Sequence, residues 1–162
     1  MPVPAAPAAL FDFLDDPRQS GMHMSNRSAM MVGGKMDYMF DDAQGRAVGS
    51  KITMTGSFAG MGLTVEEVVT VREPPWRKIW ETAGTPSLLI LTWYRMGFTI
   101  KPNASGSELT VALDYRRPCS LLAGLLAWLA APLYARWCVS RMANDARRKF
   151  ETTAPATRQQ EL

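Results

Sequence analysis

The feature that most constrains the fold is a long region, residues 28–116, in which apolar and polar side chains alternate between short turns. Alternation with a period of two places one set of side chains on each face of a β-strand. Six such stretches follow one another, at residues 30–40, 48–55, 63–72, 76–83, 88–100 and 109–115. Because short turns connect antiparallel neighbours, the pattern predicts an antiparallel meander of six strands.

Helical patterns stand on both sides of this region. Pro7 and the apolar residues of 10–14 predict a first helix, and a short turn or second helix follows from Arg18 to Met24. From Pro118 onward the chain is helical again, and Pro132 either begins a second helical piece or kinks one long helix.

An apolar residue then recurs every four positions, as on a helix face packed against a sheet, at Tyr134, Cys138, Met142, Ala146 and Phe150. We therefore expect an α+β fold with one domain over residues 1–152 and a disordered tail over residues 153–162.

The sequence lacks the patterns that identify common catalytic and metal sites. Its two cysteines, Cys119 and Cys138, lie 19 positions apart without a CxxC pair, and His23 is the single histidine. No P-loop, GxGxxG, GxSxG or HExxH motif is present. We expect no metal and no cofactor, and no catalytic residue is identified from these patterns.

Charge is unevenly distributed along the chain. Residues 1–115 carry 10 basic and 12 acidic groups, net −2, whereas residues 116–162 carry 8 basic and 3 acidic groups, net +5. The basic residues are not interleaved with aromatic ones, so we expect no nucleic-acid partner. The N-terminus has no basic segment before its apolar residues, which argues against a secretory signal and predicts a cytoplasmic protein.

Three stretches resemble the SRPBCC (START-like) superfamily. Residues 7–17 are similar to its first helix, residues 65–81 to a hairpin containing Glu-Pro-Pro, and residues 94–111 to its last hairpin. The resemblance covers residues 5–152 and implies the helix-grip fold, a curved antiparallel sheet wrapped around a long C-terminal helix. Members include polyketide cyclases and lipid carriers, and they typically enclose an apolar cavity between sheet and helix.

The resemblance implies that apolar faces of the strands line such a cavity. The candidates for its wall are Tyr38, Met54, Val69, Met96, Phe98 and Leu113. Core and cavity side chains have the same periodicity, so each of these residues also fits a plain core.

Two polar residues are more informative candidates for contacting a ligand. Glu67 interrupts the apolar face formed by Val65, Val69 and Val71, where it could orient a ligand hydroxyl or act as acid or base. A bulge that turns it outward, or an ion pair with an arginine, explains it equally well. In the fold that the chain resembles, His23 borders the cavity mouth, but a lone exposed or capping histidine gives the same pattern.

The sequence also leaves one orientation undecided. Trp80 and Glu81 are neighbours on a strand, so they face opposite sides, and one of them points inside.

We expect the protein to bind or carry a small hydrophobic ligand, such as a lipid, a polyketide or an isoprenoid-like molecule. One alternative is a cyclase or dehydratase that uses Glu67 or His23 as acid or base. Another is peripheral contact with an anionic membrane at its inner face through residues 118–135, which arginines flank.

The residues before the first helix predict that one edge of the sheet lacks a full strand. The helix-grip fold begins with a strand that pairs with the last strand, but here Pro2, Pro4 and Pro7 interrupt the residues before the first helix. The first strand should therefore be missing or truncated, leaving residues 109–115 as an edge. Either further chain precedes Met1, or this edge pairs with a second copy to form a homodimer.

Overall fold

The computed structural model describes residues 1–20, 36–58, 61–84, 86, 91–119 and 121–153, so His23 lies outside the described residues. Within them the elements, in chain order, are β1 (Pro2–Val3), α1 (Pro7–Asp15), α2 (Pro17–Ser20), β2 (Met36–Phe40), β3 (Lys51–Phe58), β4 (Met61–Glu73), β5 (Arg77–Ala83), β6 (Trp93–Asn103), β7 (Gly106–Arg116) and α3 (Leu121–Thr153).

All the strands belong to one antiparallel sheet in the order β1-β7-β6-β5-β4-β3-β2. The predicted six-stranded meander is confirmed as β2 to β7, because each of these strands pairs with the next one along the chain. The curved sheet and the long C-terminal helix form the predicted α+β, helix-grip architecture.

The first strand is truncated, as the prolines predict. Pro2 and Val3 pair with Glu108 and Ser107, and Met1 adds two backbone hydrogen bonds to Leu109, of 2.7 and 2.8 Å. Because the pairing is antiparallel, the chain after Val3 runs toward Gly106, where β7 begins, and residues 110–116 lie beyond the Met1 end of β1. In the described part of the molecule, no strand covers residues 110–116 of β7 on this side.

The turn between β6 and β7 requires a glycine. Gly106 has φ of 132°, and a Cβ at this position would lie 2.7 Å from the carbonyl oxygen of Val3. The close approach of β1 thus depends on the missing side chain.

A bulge in β4 corrects one expectation from the alternation. The register shifts between Val69 and Val71, so that Val69 opposes Trp80 and Val71 opposes Ile79. The extra residue reverses the phase of the strand. Arg72 therefore faces inward and Val71 leaves the face that it was predicted to share with Glu67.

The main apolar core lies where α1, the middle of the sheet and α3 meet. Its largest fully buried side chains include Leu10 and Phe11 of α1, Phe98 and Ile100 of β6, and Met142 of α3. Each element contributes one apolar face, so the core holds both helices on the sheet.

A second apolar cluster lies at the opposite end of the sheet. Ile52, Met54, Leu63 and Val65 are buried there between β3 and β4. Tyr94 of β6 packs against both clusters and so connects them.

Helix α3 is continuous, with Pro132 inside it, so the interpretation of two separate helical pieces is wrong. Its predicted inner face is confirmed: Cys138, Met142 and Ala146 are buried, and Tyr134 and Phe150 are half-buried. Among the described residues, no helix combines the length and the apolar character needed to cross a membrane.

Candidate functional site

A buried carboxyl group lies on the concave face of the sheet. Glu67 is 7% exposed, whereas its neighbour Glu66 faces outward and pairs with Lys51 at 3.1 Å. On the sheet, Glu67 stands between Ile52 of β3 and Thr82 of β5. The bulge begins beyond this position, so the phase of the strand directs Glu67 inward.

The Glu67 carboxyl is held by neighbouring strands. The Tyr94 hydroxyl donates a hydrogen bond to its Oε1 atom, and the indole N–H of Trp80 donates another. Tyr94 is itself positioned by its backbone N–H, which donates to Thr82 Oγ1 at 3.2 Å. The structure thus contradicts an outward bulge at Glu67, and none of the arginines that it describes forms an ion pair with this carboxyl.

Burial dominates the electrostatics of Glu67. It raises the pKa of the carboxyl to about 7, although the hydrogen bonds from Tyr94 and Trp80 and the charge of Lys78 act in the opposite direction. Lys78 contacts Asp15 rather than Glu67, so its charge acts on Glu67 only at longer range. Glu67 can therefore exchange a proton near neutral pH.

Two further tyrosines complete this group of side chains. Burial raises the pKa of Tyr38, Tyr94 and Tyr134, and the charge of Glu67 adds to the effect in each case. Next to Tyr134 on α3, burial raises the pKa of Cys138 to about 12. These groups stay neutral at physiological pH, so they offer hydrogen bonds and aromatic surface rather than charge. We call Tyr38, Glu67, Trp80, Tyr94 and Tyr134 the Glu67 cluster.

Most of the predicted wall residues are on the same face, in separate rows across the strands. Val69, Met96 and Leu113 lie in one row with Trp80. Tyr38 and Met54 lie in a second row, which continues to Val65.

Phe98 is buried, as are Met54, Val69 and Met96, whereas the wall candidates Tyr38 and Leu113 are only half-buried. Phe98 is 2% exposed and its ring contacts Phe11 of α1 and Trp80, with centroid distances of 5.5 and 6.4 Å. It is thus a close-packed member of the main core. His23, the remaining candidate, lies outside the described residues.

The orientation of Trp80 and Glu81 is now decided. Trp80 packs against the main core, and Glu81 forms an outer ion pair with Arg95 at 2.9 Å.

Tyr94 and Tyr134 were not among the predicted site residues. A signal for each was present, because Tyr94 shares the apolar face of its strand with Met96, and Tyr134 begins the four-residue repeat of α3. That both approach Glu67 depends on the strand register and on the docking of the helix.

A second buried polar group ties α1 to the sheet. Asp15 accepts hydrogen bonds from Arg72 at 2.9 Å and from Lys78 at 2.8 Å. Burial alone would raise the pKa of Asp15, but these hydrogen bonds hold it below its usual value. The group lies beside a surface groove of about 560 Å³ that Phe13 and Phe150 also line. Since the Asp15 carboxylate accepts hydrogen bonds from both cations and joins α1 to the sheet, we assign this group a structural role.

The described residues contain no group of three His, Cys, Asp or Glu side chains that could hold a metal ion. The Glu67 cluster supplies one carboxylate among phenols and an indole, which suits hydrogen bonding better than metal coordination.

Comparison with solved structures supports the fold. Protein TTHA0849 from Thermus thermophilus matches with a TM-score of 0.65 and 12% identity over 94% of each chain. The structure of Ara h 8.0201 matches with a TM-score of 0.58 and 11% identity, over 89% of this chain and 91% of that one.

A third structure is the di-domain ARO/CYC protein StfQ from the steffimycin biosynthetic pathway. It matches with a TM-score of 0.66 and 17% identity, over 95% of this chain and 50% of StfQ. No family model matches the chain, and no curated protein sequence matches it significantly.

Proposed function

We propose, from the helix-grip fold that the chain shares with these structures, that it binds a small hydrophobic ligand between the concave face of its sheet and α3. The observation that carries the proposal is that Tyr38, Trp80, Tyr94 and Leu113 lie on the inner face and are only half-buried. Rings that face the interior of a domain yet keep accessible surface offer contact to a ligand. A lipid, a polyketide or an isoprenoid-like molecule fits such a surface.

A larger side chain on the inner face of β7 tests this proposal, because it would occupy the space proposed for the ligand. Leu113→Trp adds an indole on the inner face, and the matched control Ala112→Trp adds the same group to the exposed face one residue earlier. We expect wild-type protein and the control to bind the neutral fluorescent probe N-phenyl-1-naphthylamine, and Leu113→Trp to bind it at least about tenfold more weakly. Native mass spectrometry of gently purified protein would identify a retained ligand. Absence of probe binding to the wild type, or equal binding by both variants, would contradict the proposal.

A second candidate function is cyclase or dehydratase chemistry with Glu67 as acid or base. The specific observation in its favour is an interior carboxyl whose pKa of about 7 lets it both accept and release a proton near neutral pH. The likeness to StfQ supports cyclase chemistry only at the level of the superfamily. His23 stays a further proposed acid or base.

The enzyme proposal predicts a difference between turnover and binding. Glu67→Gln should bind a poly-β-ketone substrate mimic about as well as the wild type, but convert it at least about 100-fold more slowly. Product analysis by mass spectrometry measures the conversion. If the wild type binds the mimic and returns it unchanged, the protein acts as a carrier of such compounds.

Helix α3 carries a surface that suits contact with an anionic membrane. Trp128, Leu129 and Leu133 are 62%, 57% and 64% exposed, and Arg136 follows them one turn later. Exposed apolar side chains beside a basic residue are typical of helices that lie at the bilayer surface. We propose that this surface rests on the inner face of the cell membrane, the net +5 charge of residues 116–162 favouring anionic lipid.

Sedimentation with vesicles tests this contact. We expect the protein to sediment with phosphatidylcholine vesicles that contain phosphatidylglycerol, and less with phosphatidylcholine alone. The double variant Trp128→Ser, Leu133→Ser should lose the interaction. Val48→Ser removes an apolar side chain of similar exposure, 63%, and should retain it. If the double variant sediments with the vesicles as much as the wild type does, this surface is not the membrane contact.

A further inference from the structure

The Glu67 carboxyl has no cation beside it in the described part of the chain. The titratable groups that interact with its charge are Tyr38 of β2, Tyr94 of β6, Tyr134 of α3 and, at longer range, Lys78 of β5. Three of these four are neutral groups.

The remaining group, Lys78, already contacts another carboxylate. Its ammonium contacts the Asp15 carboxylate and the Asp15 carbonyl oxygen, both at 2.8 Å. None of the described residues therefore neutralises the charge on Glu67 in an ion pair, which is costly for a carboxylate that is 7% exposed.

The hydrogen-bonding capacity of Glu67 is also incompletely used. An ionised carboxylate accepts about four hydrogen bonds. Within the described residues, Tyr94 and Trp80 supply two donors. The carboxylate can still accept a hydrogen bond from a ligand that enters the interior.

The aromatic rings around Glu67 favour the same kind of ligand. Tyr38, Trp80 and Tyr94 are half-buried, so their surfaces are available to an entering molecule. The negative face of an aromatic ring attracts cations and accepts weak hydrogen bonds, whereas it repels an anion.

We propose that Glu67 holds the head group of the ligand, and that this head group is a hydrogen-bond donor without negative charge, namely a hydroxyl or a protonated amine. The apolar remainder of the ligand contacts Trp80 and Leu113, the half-buried residues in the row that also contains Val69 and Met96. A carboxylate head group is rejected because it would place a second negative charge beside Glu67 in a poorly solvated space. This inference rests on the proposed ligand-binding function and adds the chemical class of the ligand.

Three compounds with the same ten-carbon chain test the head-group preference: decanol, decylamine and decanoic acid. Each is titrated against N-phenyl-1-naphthylamine bound to the full chain at about pH 8, where Glu67 is ionised. We expect decanol or decylamine to displace the probe at concentrations at least about tenfold below those of decanoate. Which of the two is tighter identifies the head group.

Matched variants of the adjacent glutamates assign the preference to Glu67. In Glu67→Gln the advantage over decanoate should shrink to less than about threefold, whereas Glu66→Gln, on the outer face, should behave as wild type. The wild type measured at about pH 6, where Glu67 is largely protonated and decanoate is still ionised, should also show a smaller advantage over decanoate. This second measurement keeps the test valid if Glu67→Gln folds poorly, as judged by circular dichroism.

The outcomes separate the two proposals. If decanoate binds as tightly as the other two compounds, or if Glu67→Gln keeps the full preference, the head-group inference is wrong and ligand binding stands. If neither the probe nor any of the three compounds binds, the proposed ligand-binding function itself is wrong.

Discussion

Glu66 and Glu67 are adjacent residues of one strand with opposite environments. Glu66 is solvated and pairs with Lys51, whereas Glu67 faces the interior and is held by Tyr94. The difference follows from the period of two in a β-strand, which turns neighbouring side chains to opposite faces. The same residue type therefore gives a surface charge at one position and a titratable interior group at the next.

The raised pKa of Glu67 predicts an unusual pH dependence of stability. The pKa rises from its ordinary value of 4.5 to about 7 in the folded protein, so between these pH values the folded state binds more protons than the unfolded state. The contribution of Glu67 is therefore favourable below about pH 4.5 and is lost as the pH rises through 7. At about pH 8 the charged group costs on the order of 3 kcal/mol.

We accordingly expect Glu67→Gln to gain stability relative to the wild type as the pH rises from about 5 to about 8. Urea unfolding across this range measures the difference, and Glu66→Gln serves as the control with no such trend. A difference in the free energy of unfolding between Glu67→Gln and wild type that does not change with pH would contradict a raised pKa for Glu67.

Phe98 gives a second prediction at this scale. Because its ring is 2% exposed and packs on Phe11 and Trp80, Phe98→Ala should destabilise the protein by about 3–5 kcal/mol. Urea unfolding measures the loss, and probe binding by the folded variant shows whether Phe98 also contacts ligand. A loss well below this range would mean that Phe98 borders a void and belongs to the wall of the proposed cavity.

Individual elements are joined by a small number of specific contacts. The C-terminal end of α1 is held through Asp15, whose carboxylate is 4% exposed and contacts Arg72 and Lys78. The bulge in β4 makes this contact possible because it turns Arg72 inward. One extra residue in a strand thus determines how the first helix is attached.

We expect Asp15→Asn to destabilise the protein by about 3–5 kcal/mol, because it leaves Lys78 buried without its counter-charge. Asp12→Asn, a change in an exposed residue of the same helix, should have little effect. The pKa of Asp15 is lowered, so its contribution is present above 3.8 and is lost as the pH falls through the lowered value. Urea unfolding at neutral and at strongly acidic pH should therefore show a large difference between Asp15→Asn and wild type only at neutral pH.

The outer edge of β7 gives a prediction about assembly. Leu109 directs its N–H toward β1, so the N–H groups of Val111, Leu113 and Tyr115 point the same way, where no described strand covers them. We expect this edge to pair with β7 of a second copy, giving a homodimer.

Analytical ultracentrifugation over a range of concentrations tests this pairing. Ala112→Lys adds a charge to the edge strand and should weaken the dimer, whereas Thr64→Lys, on the exposed side of β4, should leave it unchanged. A wild-type protein that stays monomeric at high concentration would exclude pairing through this edge.

For the molecule as a whole, the connection between the two apolar clusters predicts cooperative unfolding. Tyr94 contacts both clusters, and α3 packs against the sheet and α1. We expect residues 1–152 to unfold as a single unit, with coincident urea transitions by far-UV circular dichroism and tryptophan fluorescence.

A truncation checks the proposed domain limit. Removal of residues 154–162 should change the free energy of unfolding by less than about 0.5 kcal/mol. Two separate transitions, or a large effect of the truncation, would show that the domain is organised differently.

The parts of the fold that could be predicted are those whose sequence pattern lies within a short stretch of the chain. Alternation from residue 63 to 69, the turn at Pro74-Pro75 and the four-residue repeat from Tyr134 to Phe150 are each encoded within a short stretch. These patterns identified the meander and the long helix without reference to any distant residue, whereas the truncated first strand was predicted from the resemblance to the helix-grip fold and from the N-terminal prolines. The exception is which side chains of β4 face inward after Thr70, since the bulge there cannot be recognised from the alternation of apolar and polar residues.

Only part of the candidate site could be predicted, because the rest of it consists of contacts between residues that are distant in the sequence. The sequence by itself determined that Glu67 interrupts an apolar face and that Trp80 and Glu81 oppose each other. Only the tertiary structure decided that Trp80 faces inward, and that Tyr94 and Tyr134, 27 and 67 positions away in the chain, approach the Glu67 carboxyl. The physical reason is that burial, pKa and hydrogen-bond partners are set by strand register and helix docking, which bring together residues whose separation in sequence carries no periodic signal.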